Sequence, residues 1–181
     1  MVHTSWEKKM TTKETYSRVI TSLSKSDKHF TEEKILMVGR KLMGVERFDL
    51  DIATDISNPT KAKRIYTEYN SALLEGNSWE AETLWCNPPF SLNLKFSEKL
   101  ERELPRVKQA VWLSKCDSRP RWARILIDNC VGIVIKEGYV RFMGSEQNAP
   151  FGILLYLFGD IDKKRVNMVI DKERDYRVFW A

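Results

Sequence analysis

The chain has 181 residues, 43% of them apolar and 30% charged, with 30 Lys and Arg against 25 Asp and Glu for a net charge of +5. That balance suits one folded domain with one sizeable core and excludes an intrinsically disordered chain. No apolar run approaches the roughly 20 residues a membrane helix needs, and the first ten residues carry Glu7, Lys8 and Lys9 with no apolar stretch behind them, so neither a membrane span nor an export signal is expected.

In chain order, Tyr16, Val19, Ile20 and Leu23 fall at helical spacing after Thr11 and Glu14, which match a capping box, so an amphipathic helix is predicted within residues 11–25. A second helix is predicted from Thr31, with Glu32 and Glu33 in its first turn, Ile35, Leu36, Leu42 and Met43 on its apolar side and Gly44 as its stop. Residues 48–53 then alternate apolar and acidic residues as a short strand does, and Thr54 to Pro59 read as a turn cluster. Thr83 to Cys86 form a compact apolar strand that must end at Pro88 and Pro89, since proline has no backbone donor. Leu92, Phe96, Leu100 and Leu104 recur every fourth position and Pro105 closes the segment, which predicts a helix. A strand at 110–113, a helix around 122–128 introduced by Pro120 and a strand at 131–135 follow. The remainder reads as strand-rich, with segments at 139–143, 152–158 and 166–170, and Lys163, Lys164 and Arg165 as a charged turn.

Alternating strands and helices predict an α/β fold with a mostly parallel, mixed sheet and helices on both faces. Ligands in such sheets bind beyond the C-terminal strand ends. Two strand ends are therefore candidates, one near Asp51 to Asp55 and one at Asn87 to Phe90. Nothing divides the chain, so one domain is expected over residues 1–181, with a helical extension at 1–30 and a tail at 159–181.

Chemistry concentrates in Asn87-Pro88-Pro89-Phe90. Methylating an exocyclic amine such as adenine N6 requires countering the conjugation of its lone pair with the ring. The Asn87 side-chain oxygen and the Pro88 carbonyl are suited to accept the two N–H bonds, and the stiff diproline holds both acceptors in advance. Phe90 is suited to stack on a base swung out of the duplex, at about 1–3 kcal/mol. A tetrapeptide of this kind also occurs as a plain turn, so its surroundings decide.

Those surroundings resemble the phage-type DNA N6-adenine methyltransferases, a compact branch of the Dam-like amino-methyltransferases. The likeness lies in Phe48 to Thr54, in Tyr66 to Leu73 running through Trp79 to Ser91, and in Gly138 to Phe142 with Asn148 to Gly152 and the strand after it, together about residues 31–158. The resemblance implies a Rossmann-like methyltransferase that transfers a methyl group from S-adenosylmethionine to adenine N6 in double-stranded DNA. It assigns Asn87, Pro88, Pro89 and Phe90 to the target base, and Thr31, Asp51, Ala53, Asp55, Asn70, Ala72 and Leu73 to the cofactor. Glu32 stands where the family usually has proline after the threonine, and Ala53 and Thr54 stand where many methyltransferases have glycines. Kinship with the phage branch implies a cytoplasmic protein of phage or prophage origin that protects DNA from host restriction.

Residues 101–124 hold seven basic against three acidic residues, four of the chain's five net positive charges. Lys115, Arg119, Arg121 and Arg124 are the expected DNA contacts. Trp122 is read as core in preference to a base-stacking ring. Asp49, Asp51 and Asp55 raise the rival of a metal-binding carboxylate cluster, weighed well below a single acidic residue serving a cofactor. Cys86, Cys116 and Cys130 form no C-x-x-C pair and are read as reduced thiols, and His3 and His29 have no partner at ligand spacing, so no metal is expected. Two rivals remain open: the same fold acting on another planar amine (cytosine N4, an RNA base or a protein glutamine), or a non-catalytic DNA-binding protein.

Overall fold

A computed structural model describes residues 31–142 and 146–181. The expected helix at 11–25, the 1–30 extension, both histidines and Met143 lie outside the described residues. Among these residues seven strands form one sheet: β1 (Leu50–Asp51), β2 (Arg64–Ile65), β3 (Ala81–Cys86), β4 (Val107–Lys115), β5 (Gly132–Lys136), β6 (Ile153–Gly159) and β7 (Tyr176–Trp180). Their spatial order is β2-β1-β3-β4-β6-β5-β7. The pairs β2–β1, β1–β3 and β3–β4 are parallel, and β6 runs antiparallel to both β4 and β5, as does β7 to β5. The sheet is thus mixed, with its parallel half at the β2-β1-β3-β4 side, as the alternation predicts.

Among the described residues four helices cover it, α1 (Glu33–Met43), α2 (Asn93–Glu103), α3 (Arg121–Asn129) and α4 (Lys163–Lys172). They divide between the faces because side chains alternate along each strand. Trp85, Val111, Leu113, Leu155 and Leu157 point to one face, where Ile35, Leu36 and Leu42 of α1 and Val166 and Ile170 of α4 pack. Leu84, Cys86, Ala110, Trp112, Tyr156 and Phe158 point to the other, against Phe96 and Leu100 of α2 and Leu126 of α3. Trp122 is half-buried against this second cluster, as core rather than as an exposed ring.

Helix α1 ends where expected: Gly44 takes a left-handed φ of 68°, and the Val45 N–H returns to the Arg40 carbonyl. Within α1, Gly39 is needed for close approach, since a Cβ there would stand 2.7 Å from the Trp85 ring. Trp85 stacks in turn on Phe48, with ring centroids 5.3 Å apart.

Three expectations in the last third are corrected. Residues 163–172 form helix α4, and neither a charged turn at Lys163 to Arg165 nor a strand at 166–170 is present. The Asp162 carboxylate caps the helix by accepting the Arg165 N–H at 3.1 Å. Val166 and Ile170 are spaced by one turn and pack into the same core cluster as α1; β-branched residues in a short run read equally as a strand. Residues 139–142 are irregular, and the closing strand is β7 instead.

Candidate active site

The strands place one cleft. From β1 the chain crosses to β2 on one side, while β3 lies on the other, so the order reverses between β1 and β3 and a crevice opens beyond their C-terminal ends. This cleft has about 970 Å³ of empty space, part of it open to solvent. Asp51 and Ala53 from the end of β1, Asn87 and Pro89 from the end of β3, and Ser71 and Ala72 from the loop between β2 and β3 all line it.

Asp51 is 1% exposed, and its two carboxylate oxygens accept the Ala53 N–H at 3.0 Å and the Thr60 hydroxyl at 2.7 Å. Burial pushes its carboxyl up to about 6, against those two bonds, which pull it down. The nearby Cys86 thiol is pushed up by burial and by the Asp51 charge, and it is a buried packing residue. Thr54, also on the cleft wall, has a buried hydroxyl with no hydrogen-bond partner in the protein. A buried carboxylate and an orphaned hydroxyl in an otherwise largely apolar cleft are polar groups that a bound molecule would satisfy.

On the opposite wall, the Asn87 Nδ2 donates to the Thr31 hydroxyl at 3.0 Å. Thr31 is buried at the approach to α1, so the bond ties the loop after β3 to the start of that helix. Pro88 is buried and Phe90 half-buried, and neither lines the cleft. Phe90 packs edge-on against Phe151 at 5.5 Å, and the Lys115 ammonium lies 4.1 Å from the Phe90 ring centre and 4.8 Å from that of Phe151. Phe90 therefore faces the end of β4 and the start of β6.

Of the seven residues assigned to a cofactor, Thr31, Asp51, Ala53, Asp55 and Ala72 line the cleft. Asn70 and Leu73 do not: Asn70 is exposed and accepts the Asn77 amide at 2.8 Å, and Leu73 packs on the second core cluster. Asp55 accepts both the backbone N–H and the hydroxyl of Ser57, which folds the 55–57 turn. Thr54 and Ser71, which fall inside the stretches read as approaching the cofactor, also line the cleft, as do Thr60 and Glu68, which the sequence reading did not assign to it. Thr60 carries no local signal, because only the path of the 52–63 loop brings it to Asp51. Asp49 stands apart from Asp51: burial raises its carboxyl, but bonds from Lys63 and Thr83 outweigh this and leave it lowered. Among the described residues no group of three or more His, Cys, Asp or Glu side chains gathers at metal-binding distance.

The four expected DNA contacts spread from the end of β4 along α3. Arg119 pairs with Asp117 at 3.0 Å, Arg121 with Glu98 at 3.3 Å, and Arg124 is exposed. No helix among the described residues is long and apolar enough to cross a membrane.

A family model described as DNA N-6-adenine-methyltransferase (Dam) matches residues 18–153. No curated protein sequence matches the chain. A solved structure from Pyrococcus horikoshii, inferred to be an RNA methyltransferase, is similar at a TM-score of 0.42 and 11% identity, covering 84% of this chain and 100% of that one.

Proposed function

The chain belongs to the DNA N-6-adenine-methyltransferase (Dam) family, and from that premise we propose that its cleft holds S-adenosylmethionine while the loop after β3 presents the target base. The protein is a methyltransferase acting on the N6 amine of adenine in DNA. When bound, S-adenosylmethionine supplies an electrophilic methyl group on its sulfonium. The residues of the cleft fit that group. Asp51 offers carboxylate oxygens to hydroxyl or amino protons, the Thr54 hydroxyl gains a partner, and the apolar walls of Ile52, Leu36 and Phe96 receive the flat, uncharged part.

Asn87 and Pro88 do the positioning. The Asn87 side-chain oxygen and the Pro88 carbonyl accept the two N–H bonds of adenine N6, which draws the nitrogen lone pair out of conjugation and aims it into the cleft. The diproline holds both acceptors before the base arrives, so little reorganisation remains at the moment of transfer. No side chain has to remove a proton first. For the base to stack on Phe90, the Lys115 ammonium gives up the ring face, and a backbone phosphate is its natural next partner. Service to a phage or prophage, by marking DNA against restriction in a bacterial cytoplasm, belongs to the same proposal and rests on the motif resemblance.

One observation carries the reading: Asn87 and Asp51 share one cleft from the ends of neighbouring strands. Radiolabelled methyl transfer from S-adenosylmethionine to unmethylated duplex DNA tests it. Label is expected on adenine and is expected to disappear in Asn87→Ala; equal incorporation by that variant contradicts the assigned role, and label on cytosine contradicts the substrate.

A further inference from the structure

Lys99, in the middle of α2, is a charged side chain almost without water, at 4% exposure. An ammonium has three protons to donate, and Lys99 places them on three backbone carbonyls of one loop, those of Ala72, Leu74 and Asn77, each at 2.7 Å. The same loop is held from two more sides. The fully buried Trp79 donates its indole N–H to the Ala72 carbonyl at 3.0 Å, its ring centre 5.7 Å from the Lys99 nitrogen, and the Asn77 amide donates to the Ser71 carbonyl at 2.9 Å. Burial lowers the proton affinity of Lys99, while Glu103 and Glu75 favour its charged form.

A buried cation that satisfies three carbonyls imposes a shape on the segment that owns them, because each C=O has to point at one nitrogen. The opposite side of that segment is the cleft wall: Ser71 and Ala72 line the cleft, and Lys99 does not. Lys99 also sits on the helix that begins directly after the Asn87 to Phe90 loop and its short 3-10 turn, Phe90–Leu92. One rigid element thus carries the base-presenting loop at its start and grips the cofactor-side loop at its middle.

We propose that Lys99 is a positioning residue for the cofactor: it holds the 71–77 loop so that Ser71 and Ala72 form the cleft wall against S-adenosylmethionine, without touching the ligand. This rests on the functional reading above. Removing the ammonium takes one donor from each of the three carbonyls: Ala72 keeps the Trp79 indole N–H and Leu74 keeps the Asn77 N–H, while the Asn77 carbonyl turns outward to be hydrated and loosens the loop. The wall then opens, while Asn87 and Pro88 keep their places.

Steady-state methyl transfer with S-adenosylmethionine and unmethylated duplex DNA, on the full chain, tests this. Lys99→Met is expected to raise KM for S-adenosylmethionine about 10–100-fold, with kcat at saturating cofactor within about 3-fold of wild type and KM for DNA unchanged, the pattern of weakened binding rather than impaired chemistry. Lys99→Arg, which keeps the charge and its donors, is expected to recover most of the affinity. An unchanged KM in a folded, active Lys99→Met overturns the proposal, as does a fall in kcat with KM unmoved. Should Lys99→Met not fold, Trp79→Phe, which removes one donor to the Ala72 carbonyl and keeps a ring, is expected to raise the same KM about 3–10-fold, and no rise overturns the proposal. Absence of methyl transfer by the wild-type chain overturns the functional reading beneath it, a result distinct from an active variant with unchanged KM.

Discussion

Asp51 joins two roles that pull in opposite directions. Its carboxyl ionises near 6 in the fold against an ordinary 3.8, because burial disfavours the charge. A raised carboxyl means that the folded protein keeps the proton at pH values where the unfolded chain has already released it. The resulting cost to stability is absent below about pH 4, grows between 4 and 6 and is complete above 6, where the gap corresponds to about 3 kcal/mol. Asp51→Asn is therefore expected to raise the unfolding temperature above pH 6, by the equivalent of about 1–3 kcal/mol after its altered bonds to Ala53 and Thr60 are counted, and to match wild type near pH 4. Calorimetry across that range checks it, and an unchanged gap at both ends counts against a buried ionised carboxylate. The same variant is expected to bind the cofactor more weakly, measured by titration with S-adenosylmethionine. Thr31 makes a second case at this scale. It accepts the Asn87 amide, and Thr31→Val removes that acceptor at nearly constant volume. A fall in kcat of about 10-fold, with Thr31→Ser near wild type, is expected if the bond sets which end of the amide faces the base; a rise in KM for the cofactor alone would make Thr31 a cofactor contact instead.

Elements read well where one periodicity dominated. In α1 and α2 the apolar positions recur at helical spacing and the stops at Gly44 and Pro105 are local, so the expected and observed limits nearly coincide. Helix α4 failed for a physical reason. Val166, Val169 and Ile170 are β-branched and fit a strand as well as a helix, and what decides is the packing of Val166 and Ile170 beside α1, together with the Asp162 cap and the Arg165 guanidinium, which donates to the Leu42 carbonyl at 3.0 Å. Asp162→Ala is expected to destabilise the protein by about 1 kcal/mol, read as a lowered urea midpoint with an unchanged slope. No change would mean that α4 is held by its apolar face alone.

Across the whole molecule, four of five net charges come from the stretch that runs through β4 into α3. Arg119 and Arg121 are held there in exposed ion pairs, which are weak in water, so a DNA phosphate would readily displace the acidic partner. Replacing Arg119 and Arg124 together by alanine is expected to weaken DNA binding and to flatten the dependence of log K on log salt by about 1 for each phosphate no longer neutralised. An unchanged slope would place the duplex elsewhere. The sequence by itself determined the alternation of strands and helices, the strand that stops at Asn87-Pro88-Pro89-Phe90, and the acidic strand end at Asp51, because apolar period and proline are local properties that survive any path the chain takes. Tertiary structure alone decided that Thr60 meets Asp51, that Thr31 meets Asn87, that Lys99 grips three carbonyls of a distant loop, and that Phe90 turns to Lys115 and Phe151 instead of the cleft. Polar atoms far apart in the chain pair only once loops have closed around the core, and nothing in their local sequence records which partner the closure brings.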